Sequence, residues 1–211
     1  MRGFEAEGDV LVAVLDDEER TVIARIVADV GLLLGDVRFD LEGDAEDGSG
    51  DDEAALFAGL SDLGGTPTRP RDPAVLRLLP TAAPDDAEVS DEFRRLTEGD
   101  LRSLKVDRLR TMWRQLSEGE PDWRLSLEDA MPTAAALTDV RLVLATRLGL
   151  DSDADVDRLH EEIDAGVRAL DADEEAEVDH ERVWLGMLYQ ALSWLQETLV
   201  ACLAAGQGDD V

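Results

Sequence analysis

Apolar positions along the chain fall into blocks of different period, and each change of period marks a new element. Val10-Leu11-Val12-Ala13-Val14 is a continuous, β-branched apolar run too short for a helix. Gly3-Phe4, separated from it by the turn Glu7-Gly8-Asp9, supplies a pairing partner, so the opening predicts a short β hairpin. Asp16 then starts a helix, with Glu19 three residues on to complete a capping box. Val22, Ile23, Ile26, Val27, Val30, Leu33 and Leu34 follow the 3.6-residue period, and Gly35 is a natural stop.

Residues 36–53 lose apolar periodicity and carry a run of carboxylates, the pattern of a solvated linker. A short helix around Ala54 to Leu60 is expected before Gly64-Gly65-Thr66-Pro67 breaks it. Four prolines between Pro70 and Pro84 keep the next stretch irregular, with Val75, Leu76, Leu78 and Leu79 as a buried turn. Asp85 and Glu88 form a second capping box, and Val89, Phe93 and Leu96 share one helix face. Thr97 is expected to cap a separate helix, Glu98 to Ser117. Ser126 and Pro132 bracket a further start, after which Leu137, Val140, Leu144 and Leu148 lead to Gly149. Val156, Leu159, Ile163, Val167 and Leu170 make another amphipathic helix, and a last one runs from near Glu174 to about Ala204.

The fold class expected is therefore mainly α: about six helices in one globular domain with a short N-terminal β hairpin. Its divisions are an N-terminal β element and helix at 1–35, an acidic linker at 36–53, a helical body at 54–205 and an acidic tail at 206–211. At 211 residues the chain is long enough to bury a substantial core.

Charge changes the picture more than composition does. Fifty acidic against twenty basic residues give −30, and every basic residue but Lys105 is arginine. High-GC codon usage or a salt-rich cytoplasm would account for such a bias without reference to the fold. A charge of this sign opposes docking on a phosphate backbone or an anionic bilayer, so direct DNA binding is not expected without a partner protein. Basic protein surfaces are its electrostatic complement. Cys202 is the sole cysteine, which excludes an intrachain disulfide, and MRGFEAEGDV has no apolar core of a signal peptide. A cytoplasmic location is expected. Val183 to Ala204 has the roughly 20-residue length of a membrane span, but Gln190, Gln196 and Glu197 interrupt it and no basic flank follows. A helix buried in the core or in a dimer interface fits it better.

One basic segment stands out in this acidic chain. Residues 94–114 hold seven basic side chains against three acidic ones. At 100° per residue, Arg102 and Lys105 fall within the arc of Leu101, Leu109, Met112, Trp113 and Leu116, at the core margin, where their stems bury and carboxylates pair their heads. Arg110 and Arg114 fall on the opposite side and are candidate partner-binding residues. Trp184, Leu188 and Trp194 on the last helix are core or interface candidates, and a homo-oligomer built on them is expected. Asp151, Asp153, Asp155, Asp157 and Glu162 imitate the spacing of a calcium loop, but Val156 stands where its turn needs Gly, so helix capping explains them more simply. His160 and His180 lack paired metal-ligand spacing. No phosphate-cradling loop or nucleophile–base pair is legible, and neither catalysis, a metal nor a cofactor is expected. Cys202, beside Leu199 and Leu203, reads as a small hydrophobe and only a weak redox candidate.

Three segments carry a family resemblance: DDEERTVIARIVADVGLLLG, DPAVLRLLPTAAPDDAEVSDEFRRLTEGDLRSLK and WLGMLYQALSWLQETLV, joined by TDVRLVLATRLGL. Together they resemble the actinobacterial AosR-type oxidative-stress transcriptional regulators, a family long catalogued as a domain of unknown function. The resemblance implies a cytoplasmic regulator that associates with an extracytoplasmic-function sigma factor at RNA polymerase and helps to switch on thiol metabolism. Sensing in that family uses a cysteine pair near the N-terminus. The matching stretch here, Phe4 to Ala13, has none. The scaffold and a partner surface are what the resemblance leaves to this chain; the alternative is a homodimeric structural helical module with no transcriptional role.

Overall fold

The computed structural model describes residues 1–36, 70–118, 122–171 and 179–206. Most of the expected acidic linker, the helix expected at Ala54 to Leu60 and most of the acidic tail lie outside them. Strands β1 (Arg2–Glu7) and β2 (Val10–Val14) form the expected hairpin. A third strand, β3 (Asp122–Ser126), adds to the free edge of β2, so the order is β1-β2-β3, all antiparallel. This strand was not expected, although Trp123 and Leu125 alternate with Arg124 as a half-buried strand requires. Ala13 pairs with Trp123 and Leu11 with Leu125, which puts four apolar side chains on one face. Phe4 meets Trp123 edge-on, ring centroids 5.1 Å apart.

Helix α1 (Asp17–Leu33) has both halves of its Asp16–Glu19 capping box. The buried turn expected near Val75 is a short helix, α2 (Pro73–Leu78), capped by Asp72 with Pro73 at its first position, where a missing N–H costs nothing. The two helices expected on either side of Thr97 are one continuous helix, α3 (Ala87–Ser117), capped by Asp86 rather than Asp85. Thr97 donates back to the Phe93 carbonyl instead of capping. Glu98 holds Arg94 one turn before it and Arg102 one turn after, and so staples the helix across Gly99. Helix α4 (Leu127–Leu148) starts directly after its Ser126 cap, keeps Pro132 inside its second turn and stops at Gly149 with φ 69°. Helix α5 (Asp153–Asp171) follows. The last helix, α6 (His180–Gly206), starts after Asp179, whose carboxylate accepts from the Arg182 N–H, not near Glu174.

The core lies between the sheet and the helices. Helix α1 packs along α3, α4 lies against α2, α3 and α6, β1 rests on α6, and α5 covers the far end of α6. Ile23, Val27, Leu109, Met112, Leu137, Val140, Leu192 and Leu195 meet in it, each contributing about 1.5–3 kcal/mol through burial. Arginines close several helix ends. Arg20 donates to Leu116 O at the end of α3, Arg102 to Leu34 O just past α1, and Arg182 to Leu148 O at the end of α4. Helix C-termini expose unpaired carbonyls, and a planar fork of donors suits them.

Gly3 marks the closest approach of β1 to α6. A Cβ there would lie 2.6 Å from Thr198 Cγ2 and 2.7 Å from its Oγ1, the oxygen that accepts the Phe4 N–H. Gly3→Ala should therefore cost about 1–3 kcal/mol by overpacking. Most of that should vanish in a Thr198→Ala background, as a urea-denaturation double-mutant cycle would show. An equal cost in both backgrounds would mean that the contact is not what Gly3 serves.

Candidate functional site

The N-terminal half of α3 carries an apolar surface that no described residue covers. Val89, Phe93 and Leu96, at spacings of four and three, are 53%, 51% and 62% exposed. They line an open groove of about 930 Å³ whose other described walls are Asp86, Glu88, Asp91, Glu92 and Arg95. The rim thus holds four carboxylates against one guanidinium, and Arg95 is spent on Glu92, 2.6 Å away. That exposed pair lowers the Glu92 carboxyl pKa through the Arg95 hydrogen bond. An apolar stripe with an acidic rim suits an amphipathic segment with basic flanks.

The candidate residues named from sequence are elsewhere. Arg110 is not on a free face: it is partly buried and forms an ion pair with Asp36, which ties α3 to the end of α1. The helical wheel misplaced it because only the fold brings Asp36 alongside. Arg114 is exposed, one helical turn beyond it. Leu101, expected within the apolar arc, is instead exposed. Arg102 and Lys105 do sit at the core margin, paired with Glu98 at 2.8 Å and Asp139 at 2.6 Å. Leu188 is a core residue, whereas Trp184 and Trp194 are exposed on α6 together with Met187. Cys202 is half-buried and donates its S–H to the Phe4 carbonyl at 3.3 Å.

The family comparison covers nearly the whole molecule: residues 1–203 match the model of a domain of unknown function, DUF2017. The chain belongs to this family. No curated protein and no solved structure matches it. In this DUF2017 chain the calcium-like spacing is a helix start. The Asp155 carboxylate accepts from the N–H of Asp151 and from both the N–H and hydroxyl of Ser152, and the Ser152 side chain is the main cause of its lowered pKa. Among the described residues no three His, Cys, Asp or Glu side chains gather as metal ligands. None of their helices is long and apolar enough to cross a membrane.

Sequence reasoning placed Val89, Phe93 and Leu96 on one face but had no means of telling that, among the described residues, no element covers this face. It expected carboxylate partners for Arg102 and Lys105 without naming them, and two buried polar clusters supply them. One is the Lys105–Asp139 pair between α3 and α4, where burial raises the Asp139 carboxyl pKa against the opposing pull of Lys105 and Arg108. Asp139 Oδ2 has no hydrogen-bond partner among the described residues. The other is Arg94–Glu98–Arg102, of which Arg94 and Glu98 border a smaller cavity together with Phe93.

Proposed function

We propose that this protein is a non-enzymatic regulatory adaptor of the AosR type, acting through a protein partner with a basic surface, such as an extracytoplasmic-function sigma factor bound to RNA polymerase. The observation that carries this reading is the exposed Val89-Phe93-Leu96 stripe with its acidic rim. Proteins that engage DNA have basic surfaces, and a partner of that charge complements both the rim and the −30 of the chain. The resemblance in EFRRLTEGDLRSLK falls on the same helix. Any response to oxidation would have to proceed without an intrachain disulfide, because Cys202 stands alone in the 211 residues.

The test is affinity for purified extracytoplasmic-function sigma factors of the host, free and in holoenzyme. Phe93→Glu and Leu96→Glu should each weaken binding by more than about tenfold, or 1.4 kcal/mol, with unchanged circular dichroism. Trp194→Glu should leave it intact. Absence of binding to every such factor, or binding indifferent to the two α3 variants, would remove the reading.

A second reading has its own observation. Trp184, Met187 and Trp194 repeat at spacings of three and seven on the outer face of α6, all partly open to solvent, as the seam of a helix pair does. A homodimeric module joined through that face would lose its dimer mass in light scattering on Trp184→Glu, with sigma-factor binding absent throughout.

A further inference from the structure

Beside the proposed docking stripe, with Phe93 common to both, the segment 79–82 and α3 line a half-open cavity of about 260 Å³. Its apolar walls are Leu79, Pro80, Phe93 and Leu101, and its polar walls include Arg94, Glu98 and Thr81. Arg94 is 6% exposed. A guanidinium carries five N–H donors, yet among the described residues Glu98 alone accepts from this one. Glu98 in turn gives its other oxygen to Arg102 at 2.8 Å. One carboxylate therefore serves two guanidinium groups, of which Arg94 lines the cavity beside Glu98 and Arg102 does not, so the three side chains together carry one surplus positive charge. Ordinarily a buried charge is matched by a counter-charge and hydrogen bonds. The Thr81 hydroxyl also holds no hydrogen bond among the described residues and adds a second donor from the segment 79–82.

We propose that this cavity binds a small monocarboxylate with a short hydrocarbon body. The carboxylate takes the vacant donors of Arg94, whose planar fork matches two oxygens in one plane, and the hydrocarbon lies against Leu79, Phe93 and Leu101. A single surplus charge suits a monoanion better than a phosphate ester. The volume is below the range of roughly 300–1,000 Å³ usual for drug-sized ligands, which excludes a nucleotide. Selection is local, since the field of the whole acidic chain repels anions.

The probe is 3-methylbutanoate, followed by saturation-transfer NMR and by melting temperature, against 3-methylbutanamide and against chloride at equal ionic strength. The carboxylate should bind saturably and raise the melting temperature, while the amide does neither. Arg94→Met should weaken binding by more than about tenfold, the loss expected for a hydrogen bond to a charged group. Because that variant also disturbs the Glu98 staple, Thr81→Trp provides a second arm. It fills the cavity with Arg94 and its partner in place, and should abolish binding without lowering the melting temperature of the free protein. Equal binding of acid and amide, undiminished binding to Thr81→Trp, or no saturable signal from 3-methylbutanoate, acetate or benzoate would each overturn the proposal.

Discussion

Lys105→Met should destabilise the fold by about 3–5 kcal/mol at neutral pH, the usual cost of removing one member of a buried ion pair. Lys105 Nζ lies 2.6 Å from Asp139 Oδ1, and both side chains are largely shielded from water. Without the ammonium, a carboxylate already short of one hydrogen bond is left charged in the core. The pH dependence has a definite sign. Burial raises the folded-state pKa of Asp139 above its ordinary 3.8, so the folded state holds the proton more tightly than the unfolded one. The stability this group contributes is full below 3.8 and is lost as pH rises through the folded value. Loss of Lys105 raises that value further. The deficit relative to wild type, read from urea midpoints, should therefore shrink as the solution is acidified. A deficit constant with pH would mean that packing of the lysine stem, not charge, is what the variant removes. Replacing both partners, Lys105→Met with Asp139→Leu, should recover most of the loss, because no unpaired charge then remains.

Trp123→Ala should cost about 3–5 kcal/mol. The indole is almost wholly buried, meets Phe4 edge-on and donates its N–H to Gln115 at 3.3 Å. It is the point at which β3, the hairpin and α3 touch. Trp123→Phe retains the aromatic edge and gives up the indole hydrogen bond, for about 1 kcal/mol. Chemical denaturation of the pair decides the matter: an alanine cost no larger than the phenylalanine cost would place β3 outside the cooperative core.

Much of the architecture was legible because it depends on local rules. The Asp16–Glu19 box, the Ser126 cap and the stops at Gly35 and Gly149 each satisfy backbone groups within a few residues, and each stands where the pattern puts it. The errors arise where an ion pair, packing or a distant strand overrides the local signal. Thr97 read as the cap of a separate helix, but Glu98 bridges Arg94 and Arg102 around it and the helix continues. Ser126 and Pro132 read as bracketing a helix start; Ser126 is the cap, and the buried Ala130, Thr133 and Ala134 carry α4 through Pro132. Strand β3 has only five residues, and it acquires its hydrogen bonds from β2, more than a hundred residues earlier.

The candidate sites were less legible, for the same reason. A helical wheel gives the angular position of a side chain but not what lies opposite. Val89, Phe93 and Leu96 share a face that is apolar by sequence, and only the fold shows it exposed among the described residues. Arg110 and Arg114 look equivalent until Asp36 comes beside the first.

The sequence by itself determined the acidic charge, the absence of an intrachain disulfide, the helical class and most helix starts and stops, because composition and capping are local properties. The tertiary structure alone decided which faces are core and which are surface, where the third strand pairs, and which cations are neutralised. Those outcomes depend on groups distant in sequence coming within a few ångströms, where burial makes an apolar stripe or an unshared charge consequential.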